Sequence, residues 1–492
     1  MSIFKKNKKM RKWPFILLFI VILFGGISYL GFQYIKKEGI LENTFVQKQL
    51  KDLAGDEHAD VVDALPTLLG FEEQKTYLLL FLNNTELRPG GGFIGSYATV
   101  RVDKGVPEIL IMEGTEGIDG RADKDWRVEP PVILTKELYV DKWYFRDSNW
   151  SPDFQISTKR SLDFYKKENG VAAEEIDGVI AVTTEVLEHV LEKTGDIEVQ
   201  GMTFTKDNVI EMLEREVEYD FAKKGIDFKE RKQIMRPFFE AILKKVGYEM
   251  VFGGSEYIEL FKKMIEEKHI LVYAVDLDIS TLVKTHDWGG EMVKNDDDYF
   301  LWVDANLAAL KTDHVLERSL DYQIKLSEDA YIAEVDMTYT HDGIFDWRTT
   351  RYRSYARVYV PEGSLLKETK MIDPAGNTQI IDPNMVDSGI ENGRQWFGVF
   401  IVIEPGTEEH LIFTYQVAPS VVKQMSSGIY NLYAQKQLGT KAHSLTIAHE
   451  FGTTIEAATP AEEKENWGNT QYTIDTDLRV DRTFSVQLKK RK

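Results

Sequence analysis

The hydrophobic pattern begins with one unbroken apolar run. From Trp13 to Phe32 the chain reads WPFILLFIVILFGGISYLGF, long enough as a helix to cross a hydrocarbon core of about 30 Å. Lys5, Lys6, Lys8, Lys9, Arg11 and Lys12 precede it, and basic residues kept on the cytoplasmic side orient such a helix with its amino terminus inside. The expectation is a basic cytoplasmic tail over 1–12, a transmembrane anchor over 13–35, and the bulk of the chain outside the cytoplasm at the plasma membrane. A cleaved signal peptide is the alternative. Its apolar stretch is usually about 7–15 residues and ends at a small-x-small site, which Ser28-Tyr29-Leu30 is not.

Residues 36–66 are polar with helical spacing and read as a juxtamembrane stalk, or else as the first helix of the folded part. From 67 to about 318 short apolar strands alternate with amphipathic helices, the pattern of a mixed-sheet α/β layered domain. TYLLLFLNN (76–84) reads as a buried strand, SYATVRV (96–102) as a half-buried one, and EILIM (108–112) as its hairpin partner across DKGVP. GVIAVTT (178–184) is a further strand, with a helix after it that Gly195 stops. Two more helices are expected over 206–220 and 229–246, the second kinked or divided by Pro237. Over 319–492 strands succeed one another directly: YIAEVDMTYTH, YARVYV, FGVFIVIE, HLIFTYQVA, HSLTIAHEF and TFSVQLK, parted by turns such as PEGS and DPAGN. That succession predicts an all-β, sandwich-like domain.

Charge narrows the partners. The net charge is −20, and because the first 35 residues hold six basic and no acidic side chains, the remainder carries about −26. Such a surface excludes indiscriminate binding of nucleic acid, and an anionic ligand needs a local basic pocket. There is no cysteine, so disulfides, thiolate metal sites and cysteine nucleophiles are excluded.

Candidate chemistry concentrates in three places. In NNTELRPGGGFIG (83–95), Arg88 is followed by Gly90, Gly91 and Gly92 directly after a buried strand. Gly90, Gly92 and Gly95 match G-x-G-x-x-G, but the segment after Gly95 alternates like a strand and offers no helix terminus for a pyrophosphate. The functional reading is an anion-binding nest of glycine N–H groups beside Arg88; the bland one is a loop whose glycines satisfy positive φ. In YFRDSNWSPD (144–153), Arg146 faces an anion while Asp147, Asn149 and Asp153 offer oxygen ligands to a hard cation, or the segment is an Asx-type turn with a local Arg–Asp pair. Third come Arg215 and then Lys229, Arg231, Lys232, Gln233 and Arg236, a helical stripe that is either solvated or faces phosphate. Elsewhere there is no H-E-x-x-H and no G-x-S-x-G. Asn295–Asp298 reads as a solvated turn, and Trp347, Trp396, Tyr352 and Tyr355 as core aromatics or, alternatively, a sugar-stacking strip.

NNTELRPGGGFIGSY, FRDSNWSPDF, IDGVIAVTTEVLEHVLEKTG and VDANLAALKTDHVLERS resemble the successive blocks of a bacterial membrane-anchored family known as domain of unknown function 4012, from about Leu65 to Leu320. The resemblance implies topology and no activity. In block order the chain is more distantly similar to the LytR-CpsA-Psr family, extracytoplasmic phosphotransferases that move glycans from polyprenyl pyrophosphate to the cell wall. That likeness implies that Arg88, Arg146, Arg215, Arg231 and Gln233 hold a diphosphate, that Arg88, Arg146, Asp147 and Arg231 act in transfer, and that Asp147 and Glu86 bind Mg²⁺ or Mn²⁺. Those enzymes carry acidic metal ligands where this chain has Asn83, Asn84 and Pro89-Gly90, which puts metal-assisted transfer in doubt. The expectation is a single-pass cell-envelope protein that binds or transfers a polyprenyl-linked glycan; the alternative is a non-catalytic surface scaffold, adhesion or glycan-binding protein.

Overall fold

The computed structural model describes Lys48, Lys51 and residues 59–328 and 330–490. The expected basic tail, the anchor at 13–35 and most of the stalk lie outside these residues. Among the described residues no helix is long and apolar enough to cross a membrane. The chain forms two compact units, each assembled from separated stretches: one from the chain through Phe81, Ile94–Asp123 and Leu162–Gly289, the other from Leu82–Phe93, Lys124–Ser161 and Gly290 onward. The boundary expected near residue 318 thus falls inside the second unit.

The first unit is a mixed α/β layer. Its strands are β1 (Lys75–Asn83), β2 (Phe93–Asp103), β3 (Val106–Gly114), β4 (Gly178–Thr183), a small hairpin of β5 (Ile197–Val199) and β6 (Met202–Phe204), and β7 (Ile270–Ala274). The main sheet has the order β3-β2-β1-β4-β7. Strand β1 is buried almost throughout, which is why its sequence is a continuous apolar run rather than an alternation. Strands β2 and β3 pair antiparallel as expected, Asp103 opposite Val106, with a bulge between Thr99 and Val100. Their two-residue turn puts Lys104 and Gly105 at positive φ, the backbone twist that suits a tight hairpin.

Helices supply the rest of that core. Ala59–Leu68 buries Val61, Val62 and Leu65, so the end of the expected stalk is the first helix of the unit. Glu185–Thr194 stops at Gly195, whose φ of 70° ends the helix. Val209–Arg215 runs on into a π-turn over Glu216–Asp220. The next helix differs from expectation: it starts at Met235 and continues to Glu266. Pro237 lies in its first turn, where the N–H has no partner within the helix, so no kink is required.

The second unit is a β-sandwich. Its strands are β8 (Asp298–Val303), β9 (Leu316–Ser327), β10 (Ala330–His341), β11 (Tyr352–Pro361), β12 (Leu365–Ile372), β13 (Thr378–Ile380), β14 (Asp387–Glu391), β15 (Arg394–Ile403), β16 (Glu408–Gln416), β17 (Ile429–Gln435), β18 (Ser444–Glu450), β19 (Ile455–Thr459), β20 (Gln471–Asp477) and β21 (Arg482–Leu488). They form two seven-stranded sheets, β13-β12-β16-β10-β9-β18-β20 and β14-β15-β11-β8-β17-β21-β19. Most neighbours are antiparallel; β8 with β17 and β9 with β18 are parallel. Along β10 buried and half-buried residues alternate, Ala333, Val335, Met337 and Tyr339 pointing inward. One core takes side chains from both sheets, including Phe300, Val358 and Tyr430 from one and Leu320, Val335 and Phe413 from the other.

Candidate functional site

The glycine–arginine loop belongs to the second unit. At its entry Asn83 Oδ1 accepts from the Thr85 N–H at 3.0 Å and the Thr85 hydroxyl at 2.7 Å, an Asx-type turn that ends strand pairing. At its exit the Phe93 N–H donates to Glu86 O. Between these closures the Gly90 N–H donates to Asn149 O and the Gly91 N–H to Arg88 O, both at 3.0 Å. The Asn149 side-chain amide returns a bond to Gly92 O at 2.8 Å. Gly91 and Gly92 have φ of 113° and 147°, and a Cβ on Gly92 would lie 2.7 Å from the Asn83 carbonyl. The glycines therefore serve positive φ and close backbone approach, and the Gly90 and Gly91 N–H groups expected to cradle an anion bind protein carbonyls instead.

Arg88 is only 3% exposed. Its Nε donates to Asp147 Oδ1 at 3.1 Å, Nη1 to Asn306 O at 2.5 Å and Leu87 O at 3.2 Å, and Nη2 to Glu86 Oε1 at 3.4 Å. The Phe93 ring lies 5.0 Å below the guanidinium. The other Glu86 oxygen accepts from Lys311 Nζ at 2.5 Å. Burial on its own would raise the Glu86 carboxyl, but Lys311 and Arg88 outweigh it and hold it below the usual range. Burial would lower Arg88, and Asp147 and Glu86 reverse that. The expected phosphate-binding guanidinium and its expected metal ligands thus neutralise one another inside the fold, leaving Glu86 and Asp147 poorly suited to Mg²⁺ or Mn²⁺.

The second motif is an internal bracket. Phe145–Asp147 forms one turn of 3₁₀ helix, and the Asp147 carbonyl accepts from the Trp143 indole at 2.8 Å. Arg146 is about a third exposed, 3.7 Å from Asp147 Oδ2, and 5.0 Å from the Tyr144 ring. Asp153 accepts from the backbone N–H groups of Ile156 and Met292 and from the Asn392 amide. The carboxylates of Asp147 and Asp153 are thus each turned to internal bonds, while Asn149 is fixed through its amide nitrogen on Gly92 O and its buried Oδ1 accepts no hydrogen bond from the described residues. Among the described residues no group of three or more His, Asp and Glu side chains is placed to hold a metal ion.

The third cluster belongs to the first unit. Arg231 pairs with Glu116 and Glu218, donates to Val217 O at 3.2 Å and lies over Phe228. Lys232 reaches Gly95 O at 2.5 Å and Glu116 Oε2 at 2.9 Å; burial lowers its pKa, and Glu116 only partly opposes this. Arg215 is exposed and bound to Asp220 at 2.9 Å. Gln233 is exposed, and its backbone N–H donates to Glu230 O. The Lys229 side chain lies outside the described residues. The expected stripe does not form, because residues up to Ile234 precede the helix that carries Arg236. Arg236 instead pairs with Glu240 at 3.0 Å, on the rim of a cleft of about 280 Å³ floored by Val100, Ile109, Phe239 and Leu243.

Two polar centres of the sandwich were not read from the sequence. Asp298, expected in a solvated turn, is 1% exposed at the start of β8. Its Oδ2 accepts from the Tyr322 and Tyr430 hydroxyls at 2.7 and 2.6 Å, and Oδ1 from the Tyr299 N–H at 2.8 Å. Tyr415 donates onward to Tyr322 at 3.1 Å. Tyr430 also meets His449 Nε2 at 3.0 Å; since the Tyr430 proton points at Asp298, Nε2 is the protonated imidazole nitrogen. Burial lifts the Asp298 carboxyl to about 6 and lowers His449 to about 3.

The second centre is Arg357, also buried. Trp150, Tyr355, Tyr359 and Trp396 surround its guanidinium at 5.3–5.9 Å, and Glu391 lies 3.6 Å away. Tyr352 is fully buried and lies 5.3 Å from Arg318. The aromatics considered for sugar stacking thus divide: Tyr352 and Tyr355 are buried, and Trp396 faces Arg357 and the Gly389 backbone. Only a strand-by-strand register could have exposed this, because Trp150 and Trp396 are far apart in sequence.

These features define a chain with a mixed-sheet α/β unit and a β-sandwich whose conspicuous arginines are internally paired. Residues 72–218 match the family model described as "Protein of unknown function (DUF4012)", a stretch that contributes to both units. No curated protein matches the chain. Similar solved structures include aminopeptidase A of Legionella pneumophila in complex with aspartic acid, at 10% identity over 37% of this chain and 22% of that one, with a TM-score of 0.19. Others are a mutant M1 zinc metallopeptidase from Deinococcus radiodurans bound to a Tyr-Ser-Ala substrate, at 11% over 37% and 43%, TM-score 0.20, and native leukotriene A4 hydrolase from Saccharomyces cerevisiae, at 9% over 35% and 28%, TM-score 0.20. The chain spans less than half the length of each of these proteins, and a likeness this slight carries no information on activity.

Proposed function

We propose that the protein is a non-catalytic cell-envelope scaffold, held at the plasma membrane by the apolar run over 13–35 and displaying its sandwich outside the cytoplasm. The anchor rests on the length of that run and the basic residues before it. The scaffold half of the reading is carried by one observation: the Arg88 guanidinium is closed in by Asp147, Glu86 and two carbonyls. A buried arginine already matched by carboxylates gains little by exchanging them for a ligand, since moving it leaves Asp147 and Glu86 unpaired in a low-dielectric site.

The rival reading, binding or transfer of a polyprenyl-linked pyrophosphoryl glycan with Mg²⁺ or Mn²⁺, calls for guanidinium groups open to phosphate. The full chain in lipid nanodiscs, given a polyprenyl pyrophosphate and either cation, separates the two. The expected result is no saturable binding and no phosphate release above protein-free discs. Release, or binding that Arg146→Ala weakens by the tenfold or more typical of a lost charge-assisted contact, overturns the scaffold reading.

A further inference from the structure

The chain contains two Asn–Gly pairs, Asn169–Gly170 and Asn392–Gly393, each preceded by a glutamate. Asparagine is thermally labile in proteins, most of all before glycine, where no side chain hinders self-attack. The glycine nitrogen gives up its proton to water and adds to the asparagine side-chain carbonyl carbon, ammonia leaves, and water opens the cyclic imide to aspartate or to its backbone-extended isomer, isoaspartate. The step needs no cofactor. It needs a glycine nitrogen free of other bonds and open to solvent, and in this the two pairs differ although their local sequences agree.

Asn169–Gly170 is blocked. The Gly170 N–H donates to Tyr165 O at 2.8 Å, the Asn169 amide donates to Arg121 O at 3.0 Å, and a Cβ on Gly170 would lie 2.4 Å from the Tyr165 ring. Asn392–Gly393 is the two-residue turn joining β14 to β15, with Glu391 opposite Arg394. Its φ values of 53° and 77° suit the tight turn in which Asn-Gly is favoured. Gly393 is exposed, nothing lies within 4 Å of the place its Cβ would take, and its N–H meets no acceptor among the described residues. One restraint remains, the Asn392 amide donating to Asp153 Oδ2 at 2.8 Å. Strand β14 is the edge of its sheet, and an edge hairpin opens locally far more often than the core unfolds; the imide closes in that open form.

That restraint is also what makes the product differ from the reactant. Asp153 is buried, and its Oδ2 also accepts from the Met292 N–H at 3.0 Å. Beside it Glu391 accepts from the Ser151 and Tyr359 hydroxyls at 2.5 and 2.6 Å. These bonds fasten the hairpin end to Ser151–Asp153. Conversion of Asn392 replaces a donor by a second carboxylate facing Asp153, and two carboxylates sharing a site repel. Isoaspartate also lengthens the backbone and spoils the two-residue register. Arg394 is engaged elsewhere, with Val293 O and Asn295 Oδ1 at 2.7 and 2.8 Å, and Arg357 with Glu391.

We propose that Asn392–Gly393 is a self-modifying site, at which conversion of the amide to a carboxylate releases the β14–β15 hairpin end from Ser151–Asp153 as the molecule ages. The proposal stands independently of the membrane anchor.

The full chain in lipid nanodiscs is held in warm, mildly alkaline buffer and sampled over time by peptide mass mapping, with isoaspartate detected by enzymatic methylation. The expected result is aspartate and isoaspartate accumulating several-fold faster at 392 than at 169 in the folded chain, and at similar rates in the urea-unfolded chain. Equal rates in the folded chain, or faster conversion at 169, overturn the site. Release of the hairpin is read by hydrogen exchange over 387–394 and 150–153, expected to rise several-fold in the aged chain and in Asn392→Asp. Unchanged exchange in a fully converted sample overturns the switch; should Asn392→Asp not fold, the aged chain carries this measurement.

Discussion

At the scale of the residue, two neighbouring arginines in similar motifs have different fates. Arg88 is enclosed among carboxylates and carbonyls, whereas Arg146 is a third exposed beside the same Asp147. Arg88→Ala leaves Asp147 and Glu86 buried without a principal partner and is expected to cost about 3–5 kcal/mol. Arg146→Ala should cost about 1 kcal/mol or less, as half-exposed pairs do. Urea denaturation of both variants checks this, and equal losses would take away the structural role of Arg88. That this arginine and its glycines form a special loop was legible in the sequence. Its direction was not, because Asp147, which pairs with it, Asn306, whose carbonyl accepts from it, and Lys311, which pairs with the adjoining Glu86, lie far along the chain, and nothing local announces a contact across some 60 to 220 residues. Glu86 is expected as a metal ligand only through the family likeness; the ammonium of Lys311 takes that place.

At the scale of the element, periodicity revealed strands with a clean pattern and missed those whose ends are polar. The β2–β3 hairpin and β10, β11, β15 and β16 were found because alternation or long apolar runs mark them. Strand β8 was missed because it opens with the acid run Asp296–Asp298, and acidic clusters ordinarily mark solvated turns. Here the last member points inward to three tyrosine-bearing strands, β9, β17 and, through Tyr322, β16. The helix from Met235 was cut short for a related reason: Gly247 and the Gly253-Gly254 pair resemble stops, yet the helix passes through them.

The polar centre on β8 has a pH signature whose sign is set by its shift. The folded carboxyl of Asp298 titrates near 6, and an unfolded aspartate near 3.9. Between those values the folded state holds the extra proton, so this group's contribution becomes more favourable as pH falls from about 6 to 4, by about 1.4 kcal/mol per unit. His449 runs the other way, since its folded value near 3 lets only the unfolded form take up a proton below about 6.5. The difference in unfolding free energy between the unsubstituted protein and Asp298→Asn isolates the first effect. It should move in favour of the unsubstituted protein by roughly 2–3 kcal/mol between pH 7 and pH 4; a flat difference would mean that the tyrosine bonds hold Asp298 at an ordinary value.

At the scale of the whole molecule, the change from alternating α and β to continuous β was legible, but the sequence places it where the strand pattern changes rather than where the chain's contacts do. The second unit includes Leu82–Phe93 and Lys124–Ser161 besides everything from Gly290, and these early stretches are structural members of it. The Asn306 N–H donates to Leu87 O and the Asp313 N–H to Thr85 O. The Asp313 carboxylate accepts from the Leu87 N–H at 3.0 Å and from Arg318 at 2.5 Å. Trp150 stacks on Tyr355 and covers Arg357, while Ser151 donates to Glu391 at 2.5 Å. A fragment cut at the apparent boundary, 319–492, would lack β8 as well and open the middle of a seven-stranded sheet. One cut at Gly290 keeps all fourteen strands but exposes the aromatic faces around Arg357 and leaves the loop after β8 without its backbone partners. Uncovered apolar surface and unpaired buried polar groups both favour aggregation over folding. Expressed alone, 290–492 should be insoluble or give a broad, early-eluting profile on size exclusion, whereas 59–492 should elute as a sharp, folded species. A monomeric, cooperatively unfolding 290–492 would mean that the early stretches decorate the sandwich rather than complete it.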